Sequence, residues 1–368
     1  MALSKIEANS LATAAVRGRK NLLINGAMQI NQYGSSSTSI GRQTLDRFFT
    51  IASTDATLTQ SQTALTSGDP YDEGFRFVYR QQATTASSSP ATNHYVGWEY
   101  RIEAQDLAQS GWNYTSTSSH VTLSFWVKSS VAGTYTASLR PQDGTQQNQS
   151  FEYTLVADTW KKVTHTFTGD SNITINNDAG IGAKLYIWVH LGTNYTAADA
   201  VYDAWTTYDS GKQSQDFAQN WTTTSNATFD ITGVQLEVSE FPTVFEHRSF
   251  AEDLALCHRY YVRMTDDTSQ SSIAYGRGAG SGQNVVAAAP IPVPLRASPT
   301  ITSTGAYHAS DSNSRTSFTP TSVVASGFNK FSNNLGLYFA AGTTICDDDR
   351  VTLVGGNGNT TLEISAEL

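Results

Sequence analysis

The sequence has few charged residues for its length of 368. Asp, Glu, Lys and Arg make up only 15% of it, against about 25% in an average soluble domain. The formal net charge is -9 and no long run of Lys or Arg occurs. The densest basic stretch, residues 17–20, is typical of a solvated linker. A nucleic-acid partner is therefore not expected, because such proteins carry a basic face.

Cysteines, long apolar runs and a signal sequence are also missing. Only Cys257 and Cys346 are present, too few for a disulfide framework, and we expect both to stay reduced. No stretch of 18 apolar residues occurs, so the sequence predicts no membrane insertion. Residues 1–10 have no basic segment followed by an apolar core, so no signal peptide is predicted. These absences fit synthesis in a bacterial cytoplasm.

Short strands account for most of what is present. Val121, Leu123, Phe125 and Val127 recur at every second position, which places them on one face of a strand. Turn signals separate about ten such runs, a pattern that favours a β-sandwich. The runs are residues 21–26, 46–51, 75–79, 97–102, 121–128, 133–140, 151–156, 160–167, 185–191 and 228–238. We expect 133–140 to be the antiparallel hairpin neighbour of 121–128.

A single helix signal divides the chain. Ser249 and Glu252 form a capping box, in which each side chain bonds a free amide at the helix start, and this predicts a connecting helix at residues 249–261. A second β region follows, with a glycine-rich loop at 276–282 and strands at 284–289, 300–304, 335–340, 349–354 and 360–365. Pro290, Pro292 and Pro294 favour an edge or an extended crossing, because proline donates no ladder hydrogen bond.

Five sequence blocks resemble those of bacteriophage tail-fibre and other virion appendage proteins. They are residues 21–30, similar to the family's NLIINGAM; 46–48, similar to DRF; 123–128, similar to SFWVK; 231–238, similar to ITGVQLE; and 245–261, similar to FEHR followed by ELALCQRYY. The blocks stand in the expected order and frame residues 21–261. No long coiled-coil shaft is visible, which keeps a short fibre, knob or head decoration open.

The resemblance implies a jelly-roll β-sandwich similar to carbohydrate-binding modules at residues 21–248. The whole chain is then all-β, with the short helix 249–261 at the junction and a second, smaller β-sandwich-like domain at 262–368. Residues 1–20 would be an N-terminal arm that attaches to other virion proteins, and a frayed terminus is the alternative. The apolar residues spaced through that arm are Leu3, Ile6, Leu11 and Val16. Homotrimers are common among such proteins.

The sequence offers no catalytic set, and we do not expect an enzyme. No nucleophile elbow, P-loop, HExxH or CxxC motif occurs, and the seven histidines are scattered. Acidic neighbours at 72–73, 266–267 and 347–349 point to opposite faces of a strand or line a turn. A glycosidase instead needs two carboxylates that face each other across a cleft. Glu246 and Arg248 are interpreted as anchors of the closing strand.

A structural calcium ion is the one cofactor that the sequence suggests. Asp170, Asn172 and Asp178 offer hard oxygen ligands in one loop. Their spacing is not that of an EF-hand. A plain Asx-rich turn is the competing interpretation.

Aromatic residues in or near loops are the candidate glycan platform, because sugar rings stack on flat faces. The candidates are Trp98, Trp112, Tyr114, Trp205, Tyr208 and Trp221. Core packing is the competing interpretation for each tryptophan, since tryptophan is highly buried on average. Trp126 and Trp188 lie in strong strands and fit either a core or an interface.

These observations lead to a hypothesis about function. The chain is interpreted as a tail fibre or short appendage at the virion surface that binds host-surface polysaccharide and assembles as a homotrimer. A head decoration, knob or collar protein that contacts only other virion proteins is the alternative. A depolymerase that cuts capsule polysaccharide is a third and weaker reading.

Overall fold

The computed structural model describes residues 19–266, 272–311, 315–348, 350–356, 358 and 360–368. The attachment residues predicted in the arm, Leu3, Ile6, Leu11 and Val16, lie outside these residues. The chain divides into two compact units, the first ending at Asp253 and the second beginning at Leu254. Among the described residues, no helix is long and apolar enough to cross a membrane.

The first unit is built almost entirely of strands. Its strands are β1 Ser36–Ser37, β2 Phe48–Ser53, β3 Thr57–Ala64, β4 Phe77–Thr85, β5 Tyr95–Glu103, β6 His120–Ser129, β7 Gly133–Pro141, β8 Gln147–Leu155, β9 Lys161–Thr168, β10 Ile181–Leu191, β11 Thr206–Thr207 and β12 Ala227–Glu237. Two short helices, α1 Asp69–Asp72 and α2 Ala104–Ala108, interrupt them. The third helix, α3 Phe250–His258, spans the point where the units divide.

The strands of the first unit form a jelly-roll sandwich of two six-stranded antiparallel sheets. The first sheet has the order β1-β3-β4-β12-β6-β9 and the second has the order β11-β8-β7-β10-β5-β2. Successive strands repeatedly cross from one sheet to the other, so each sheet is assembled from distant parts of the chain. The all-β fold class predicted from the sequence is confirmed.

The alternating residues of β6 fill the space between the two sheets, as predicted. Val121, Leu123, Phe125 and Val127 are completely buried and belong to one large apolar cluster. Residues from the facing sheet, such as Leu139 and Ile187, belong to the same cluster. The period-two pattern therefore identified the inner face of this strand correctly.

The predicted hairpin between residues 121–128 and 133–140 is wrong. β6 pairs with β9 and β12, whereas β7 pairs with β8 and β10 in the other sheet. The turn between them crosses the end of the core. There the buried Tyr135 hydroxyl donates a hydrogen bond to the Val131 carbonyl at 2.7 Å and lies 3.0 Å from Ser129 Oγ. The chain thus passes from the first sheet to the second beside this buried ring.

The first predicted strand, residues 21–26, is also not a strand. The segment is buried and bent, and side chains fix most of its backbone groups. Asn21 Oδ1 accepts hydrogen bonds from the amides of Leu23 and Leu236 at 3.0 and 3.1 Å. The Asn21 side chain therefore replaces part of a ladder.

The second unit has its own core between two further antiparallel sheets. Its strands are β13 Tyr261–Asp266, β14 Ser272–Ala279, β15 Asn284–Pro290, β16 Thr300–Thr304, β17 Tyr307–Ser310, β18 Arg315–Phe318, β19 Ser322–Gly327, β20 Asn334–Ala340, β21 Val351–Gly356 and β22 Thr360–Ser365. The smaller sheet has the order β13-β22-β16 and the larger has the order β18-β17-β21-β14-β15-β20-β19. Ile364 from the smaller sheet and Phe339 from the larger belong to one buried cluster.

The glycine-rich loop predicted at 276–282 is partly a strand. Gly276 and Gly278 belong to β14, where a Cβ would lie only 2.0 Å from the Val286 carbonyl oxygen and 2.2 Å from that of Asp347. Only Gly280, Ser281 and Gly282 turn the chain, with φ angles of 59°, 59° and 76°. Close backbone approach, and not turning, explains the first two glycines.

The helix predicted at 249–261 is confirmed as α3, but it is shorter than predicted: it ends at His258, and Tyr261 already belongs to β13. The Ser249 amide donates to Glu252 Oε2 at 2.8 Å, and the Glu252 amide donates to Ser249 Oγ at 3.3 Å. These two bonds are those of a capping box. Cys257 in this helix and Cys346 in the second unit are both buried and unbridged.

Candidate functional site

The outer face of the second sheet carries a second apolar cluster beside the core. Along β10, Leu185, Ile187 and Val189 point into the sandwich, so the alternate side chains point outward. Tyr186 and Trp188 therefore stand on the outer face, yet they are only 5% and 4% exposed. Something covers this face of the sheet.

The cover is the segment between β10 and β12, residues 192–220, which we call the strap. It first adds β11 to the edge of the sheet beside β8. It then returns across the outer face, where Ser150 Oγ donates to the Gln213 carbonyl at 2.8 Å and Thr136 Oγ1 lies 2.8 Å from Ser214 Oγ. These contacts hold the strap on the sheet, and an opening remains beside Tyr186 and Trp188.

The opening is a cleft of about 280 Å³ with a floor and walls of aromatic rings. Tyr186 and Trp188 form the floor, with ring centroids 5.0 Å apart and planes 5° from parallel. Half-buried tyrosines form the walls: Tyr95 meets Trp188 edge-on at 6.2 Å, and Tyr195 meets Tyr95 edge-on at 5.5 Å. Tyr208 stands on the strap side. The cleft thus presents several ring surfaces to one small volume.

A glycine makes room for the floor. Gly97 of β5 is the cross-strand partner of Trp188. A Cβ at this position would lie 2.9 Å from Trp188 Cε3 and 2.8 Å from the Ile187 carbonyl oxygen. Because position 97 has no side chain, the indole ring lies over the neighbouring strand, a close approach that only glycine permits.

A buried arginine stands in the wall of the cleft. Arg140 of β7 is 6% exposed, and its guanidinium lies 4.5 Å from the Tyr186 ring centroid and 3.6 Å from that of Tyr208. Its Nη2 donates to Gln213 Oε1 at 2.8 Å. The cation–π contacts with two rings stabilise the charge inside the wall, and the planar group presents further donors there.

The carboxylate of the cleft is already paired. Glu99 of β5 is 5% exposed, accepts a short hydrogen bond from Arg101 Nε and lies 3.4 Å from Lys184 Nζ. Burial lowers the pKa of Lys184, the nearby Glu99 raises it, and Arg101 and Arg140 lower it further. Burial also raises the pKa of the Tyr186 hydroxyl. That hydroxyl therefore stays protonated and can donate or accept hydrogen bonds.

Two larger grooves on the first unit are also lined in part by strap residues, Asp216 in one and Asp203 in the other. One, of about 510 Å³, is lined by small and polar residues that include Glu152 and Asp216. The other, of about 420 Å³, contains His165 and Phe151. Those two rings stack on each other at 4.1 Å with planes 3° from parallel. Burial lowers the pKa of His165 to about 4, although nearby Asp203 acts to raise it.

Three of the six predicted glycan contacts are wrong. Trp98, Trp112 and Trp221 are 1%, 2% and 0% exposed and belong to the main core. Trp98, for example, packs against Tyr79 and Phe229 with centroids 5.4 and 5.3 Å away. These large rings fill the sandwich interior, so the competing interpretation of core packing holds for them.

The other three predicted contacts are half-buried. Tyr114 donates to the Ile175 carbonyl at 3.2 Å, and Trp205 Nε1 donates to the Thr168 carbonyl at 2.7 Å. Both rings pack on the main core. Tyr208 is the predicted residue that lines the cleft. The glycan role of all three residues stays a prediction.

The glycan candidates left out Tyr95, Tyr186 and Tyr195, and Trp188 was predicted to fit either a core or an interface. A signal was present for two of them, because Tyr186 and Trp188 occupy the alternate positions of a strand whose other positions are Leu185, Ile187 and Val189. Two aromatic residues on the outward face of a strong strand indicate a covered or binding surface. No local pattern distinguishes Tyr95 or Tyr195 from an ordinary loop tyrosine.

The residues predicted to hold calcium lie in tight turns. Asp170 Oδ1 accepts hydrogen bonds from the amide and the side chain of Asn172, both at 2.8 Å. Asp178 Oδ1 accepts one from the Gly180 amide at 2.8 Å. These are the bonds of Asx turns. In the part of the chain that the structure describes, no group of three or more His, Cys, Asp or Glu side chains comes together. The calcium ion stays a prediction.

Glu246 and Arg248 were predicted to anchor the closing strand, and the Glu246 amide does donate to Gln235 Oε1 of β12 at 2.8 Å, but both side chains bind the start of the sandwich. Glu246 accepts hydrogen bonds from the amides of Lys20 and Asn21 at 3.0 and 2.9 Å. Arg248 donates to the carbonyl groups of Leu23 and Asn21 at 3.1 and 2.6 Å. Burial acts to raise the pKa of Glu246, but the two amides and Arg248 outweigh it, so the pKa is lowered.

No protein-family model matches the sequence. No curated protein matches it either. Among solved structures, the chain resembles the enzymatically active domain of tailspike protein 4 of bacteriophage CBA120, with 11% identity and a TM-score of 0.31, over 60% of this chain and 21% of that one. The chain thus spans about a fifth of the tailspike's length.

Two carbohydrate-binding proteins are also among the similar structures. The N-terminal cellulose-binding domain of Cellulomonas fimi β-1,4-glucanase C is 13% identical, with a TM-score of 0.30 over 57% of this chain and 98% of that one. The family 11 carbohydrate-binding module of Clostridium thermocellum, in complex with a mixed-linked tetrasaccharide, is 10% identical, with a TM-score of 0.29 over 58% and 98%. These similarities are coarse.

Proposed function

We propose that the chain binds a carbohydrate in the cleft of the second sheet and does so as a surface appendage of a bacteriophage particle. The observation that supports binding is the set of aromatic rings that converge on one small opening, with Arg140, Gln213 and Glu99 between them. Ligand sites are concave, mostly apolar and contain a few convergent polar groups. The cleft has this composition.

A sugar suits these walls better than a flat hydrophobic ligand does. The C–H groups of a pyranose ring pack on the electron-rich face of an aromatic ring, and Tyr95, Tyr195 and Tyr208 are half-buried. The hydroxyl groups around a sugar need donors and acceptors, which the Arg140 guanidinium and the Gln213 amide supply. Both kinds of contact are therefore within one site.

The chemistry of the cleft favours binding over hydrolysis. Glycosidases use two carboxyl groups on opposite sides of the scissile bond. Glu99 is the one carboxylate among the described residues that line the cleft, and it is held by Arg101 and Lys184. We therefore propose recognition without cleavage.

The virion role is supported by the sequence blocks at 21–30, 46–48, 123–128, 231–238 and 245–261. Within this role the proposal includes attachment to other virion proteins, assembly as a homotrimer and a position on the virion surface. Light scattering of the purified chain tests the assembly, with a mass of three times 39.8 kDa expected. A monomer at micromolar concentration would contradict it.

The binding proposal is tested with variants of the half-buried tyrosines that form the walls of the cleft. We expect Tyr95→Ala and Tyr208→Ala each to weaken binding to a polysaccharide selected from a bacterial glycan array roughly tenfold or more, the range of a truncated aromatic contact. Tyr275→Ala is the matched control, because Tyr275 is a 53% exposed tyrosine in the second unit. Calorimetry gives the dissociation constants, and thermal melts check that each variant is folded.

Two results would contradict the proposal. Equal losses in Tyr275→Ala would place the binding site elsewhere, and no binding across the array would remove the receptor role. In the second case, antibody labelling of intact particles would test the alternative, a decoration or collar protein that contacts only virion proteins.

A further inference from the structure

The charges on the outer face of the second sheet are arranged in an unfavourable row. Arg101, Lys184 and Arg140 are directly opposite one another on the adjacent strands β5, β10 and β7. Like charges at directly opposed positions destabilise a sheet. Arg101 and Arg140 both lower the pKa of Lys184, so the repulsion reaches the middle of the row.

Arg140 is the member of this row without a countercharge. Arg101 and Lys184 share Glu99, whereas no carboxylate oxygen among the described residues lies within 4.0 Å of the Arg140 guanidinium. Its Nε is buried and has no hydrogen-bond partner in the described structure. The charge is 6% exposed, and an unpaired charge at such a depth is costly.

The contacts that Arg140 makes do not supply a negative countercharge. The rings of Tyr186 and Tyr208 and the amide of Gln213 stabilise the guanidinium, but none of these groups carries a negative charge. A neutral sugar would add hydrogen bonds only. An anionic group would complete the arrangement, because a charge-assisted bond to guanidinium is roughly twice as strong as a neutral one.

We infer that the ligand of the cleft is an acidic polysaccharide, one whose sugar carboxylate binds Arg140. This inference rests on the proposed carbohydrate binding and specifies its substrate class. The protein as a whole carries a net charge of -9, so long-range attraction does not select such a ligand. Selection takes place locally, where Arg140 and its neighbours on the row outnumber the single carboxylate of the cleft.

The test compares acidic and neutral glycans with the full-length protein. An array of bacterial capsular and O-antigen polysaccharides with acidic and neutral repeat units is screened first, and the strongest binder is then carboxyl-reduced, which converts each uronate to the neutral sugar. We expect the strongest binders to be acidic, and carboxyl reduction to weaken binding roughly tenfold or more. We also expect binding to weaken between about 0.01 and 0.15 M salt, as screening increases.

Variants then assign the preference to Arg140. Arg140→Gln is expected to bind acidic and reduced polymers about equally, and Arg140→Lys to keep part of the preference. Arg277→Gln, on an exposed position of β14 in the second unit, makes the same change in net charge and should keep the whole preference. If Arg140→Gln does not fold, the comparison of acidic and reduced polymer on the unaltered protein still tests whether the ligand must be acidic.

The outcomes separate this inference from the proposed function. Equal affinity for acidic and reduced polymers, or neutral polymers as the strongest binders, would overturn the inference and leave carbohydrate binding standing. A preference that survives in Arg140→Gln would also overturn it. No binding to any polymer would overturn both.

Discussion

Trp126 and Trp188 occupy comparable places on the two sheets of the sandwich, on the outward side of an inner strand. Both are nearly covered, at 8% and 4% exposure. Trp126 Nε1 donates to Glu73 Oε2 at 3.0 Å, and its cluster includes Phe75 and Phe245 from distant segments. Trp188 Nε1 has no hydrogen-bond partner in the described structure, and its ring forms the floor of a cleft.

The difference shows that an outward aromatic residue has no fixed role. On the first sheet, Glu73 after α1 accepts the hydrogen bond of the indole and Phe245 before α3 packs in the same cluster, so the ring is covered. On the second sheet, the strap covers the neighbouring polar residues but stops beside the ring stack. Under the proposed function, the same residue type is thus a packing element on one face and part of a ligand surface on the other, depending on how far the covering segment extends.

The largest expected effect is a difference in glycan affinity between variants of the two tryptophans. Trp126→Ala should lower the free energy of unfolding by about 3 kcal/mol, the cost of removing a packed tryptophan, and leave glycan affinity within about twofold. Trp188→Ala should also destabilise, because its ring packs on Tyr186, but it should weaken glycan binding roughly thirtyfold or more as the cleft loses its floor. Urea titration and calorimetry measure the two quantities.

Binding is compared at a temperature where both variants are folded. If Trp126→Ala lost affinity as strongly as Trp188→Ala, the first face would be part of the binding site and the contrast between the sheets would fail. If neither variant lost affinity, the cleft would not be the site.

The sequence predicted the inner faces far better than the outer ones. Alternation at Val121–Val127 depends only on strand geometry and burial, so a local pattern was sufficient. The fate of Trp126 depends on Glu73, 53 residues away, and that of Arg140 on Gln213, 73 residues away. Such contacts are set by the crossing of strands between sheets, and that crossing was mispredicted where β6 was paired with β7. Trp98 and Trp221 were misplaced for the same reason, because they fill a core whose second wall was not yet known.

A second, smaller effect is a pH dependence of the free energy of unfolding that arises at the second sheet. Burial, and then His94, lower the pKa of His190 to about 4 from an ordinary value of 6.5. His190 follows Trp188 on β10, and its ring meets Phe217 of the strap edge-on at 6.5 Å. The unfolded chain binds this proton before the folded chain does. The free energy of unfolding should therefore fall by up to about 3 kcal/mol as the pH drops from about 6.5 to about 4.

The variant His190→Gln isolates this contribution, because His165 titrates in the same direction and remains in both proteins. The difference in unfolding free energy between the variant and the unaltered protein should change across pH 6.5 to 4 and be constant above about pH 7. A pH-independent difference over the whole range would show that His190 is not held neutral under the strap.

The smallest expected effect on stability concerns Glu73, which contacts Trp126 on the first sheet, and it depends on a lower pH range. Burial acts to raise the pKa of Glu73, but hydrogen bonds from Trp126 and Lys162 outweigh it, so the pKa lies below the ordinary 4.5. Its stabilisation is present above that value and is lost as the pH falls through the folded pKa.

Glu73→Gln keeps an acceptor for Trp126 and removes the charge facing Lys162. Because Glu73 and Lys162 are both more than a third exposed, we expect a loss below about 1 kcal/mol at neutral pH, measured by urea titration. That loss should vanish once the pH falls below the folded pKa of Glu73, where the unaltered carboxyl group is itself protonated. A loss that persists there would mean that Gln at position 73 disturbs the packing around Trp126. The burial of Trp126 would then depend on the shape of residue 73 and not on its charge.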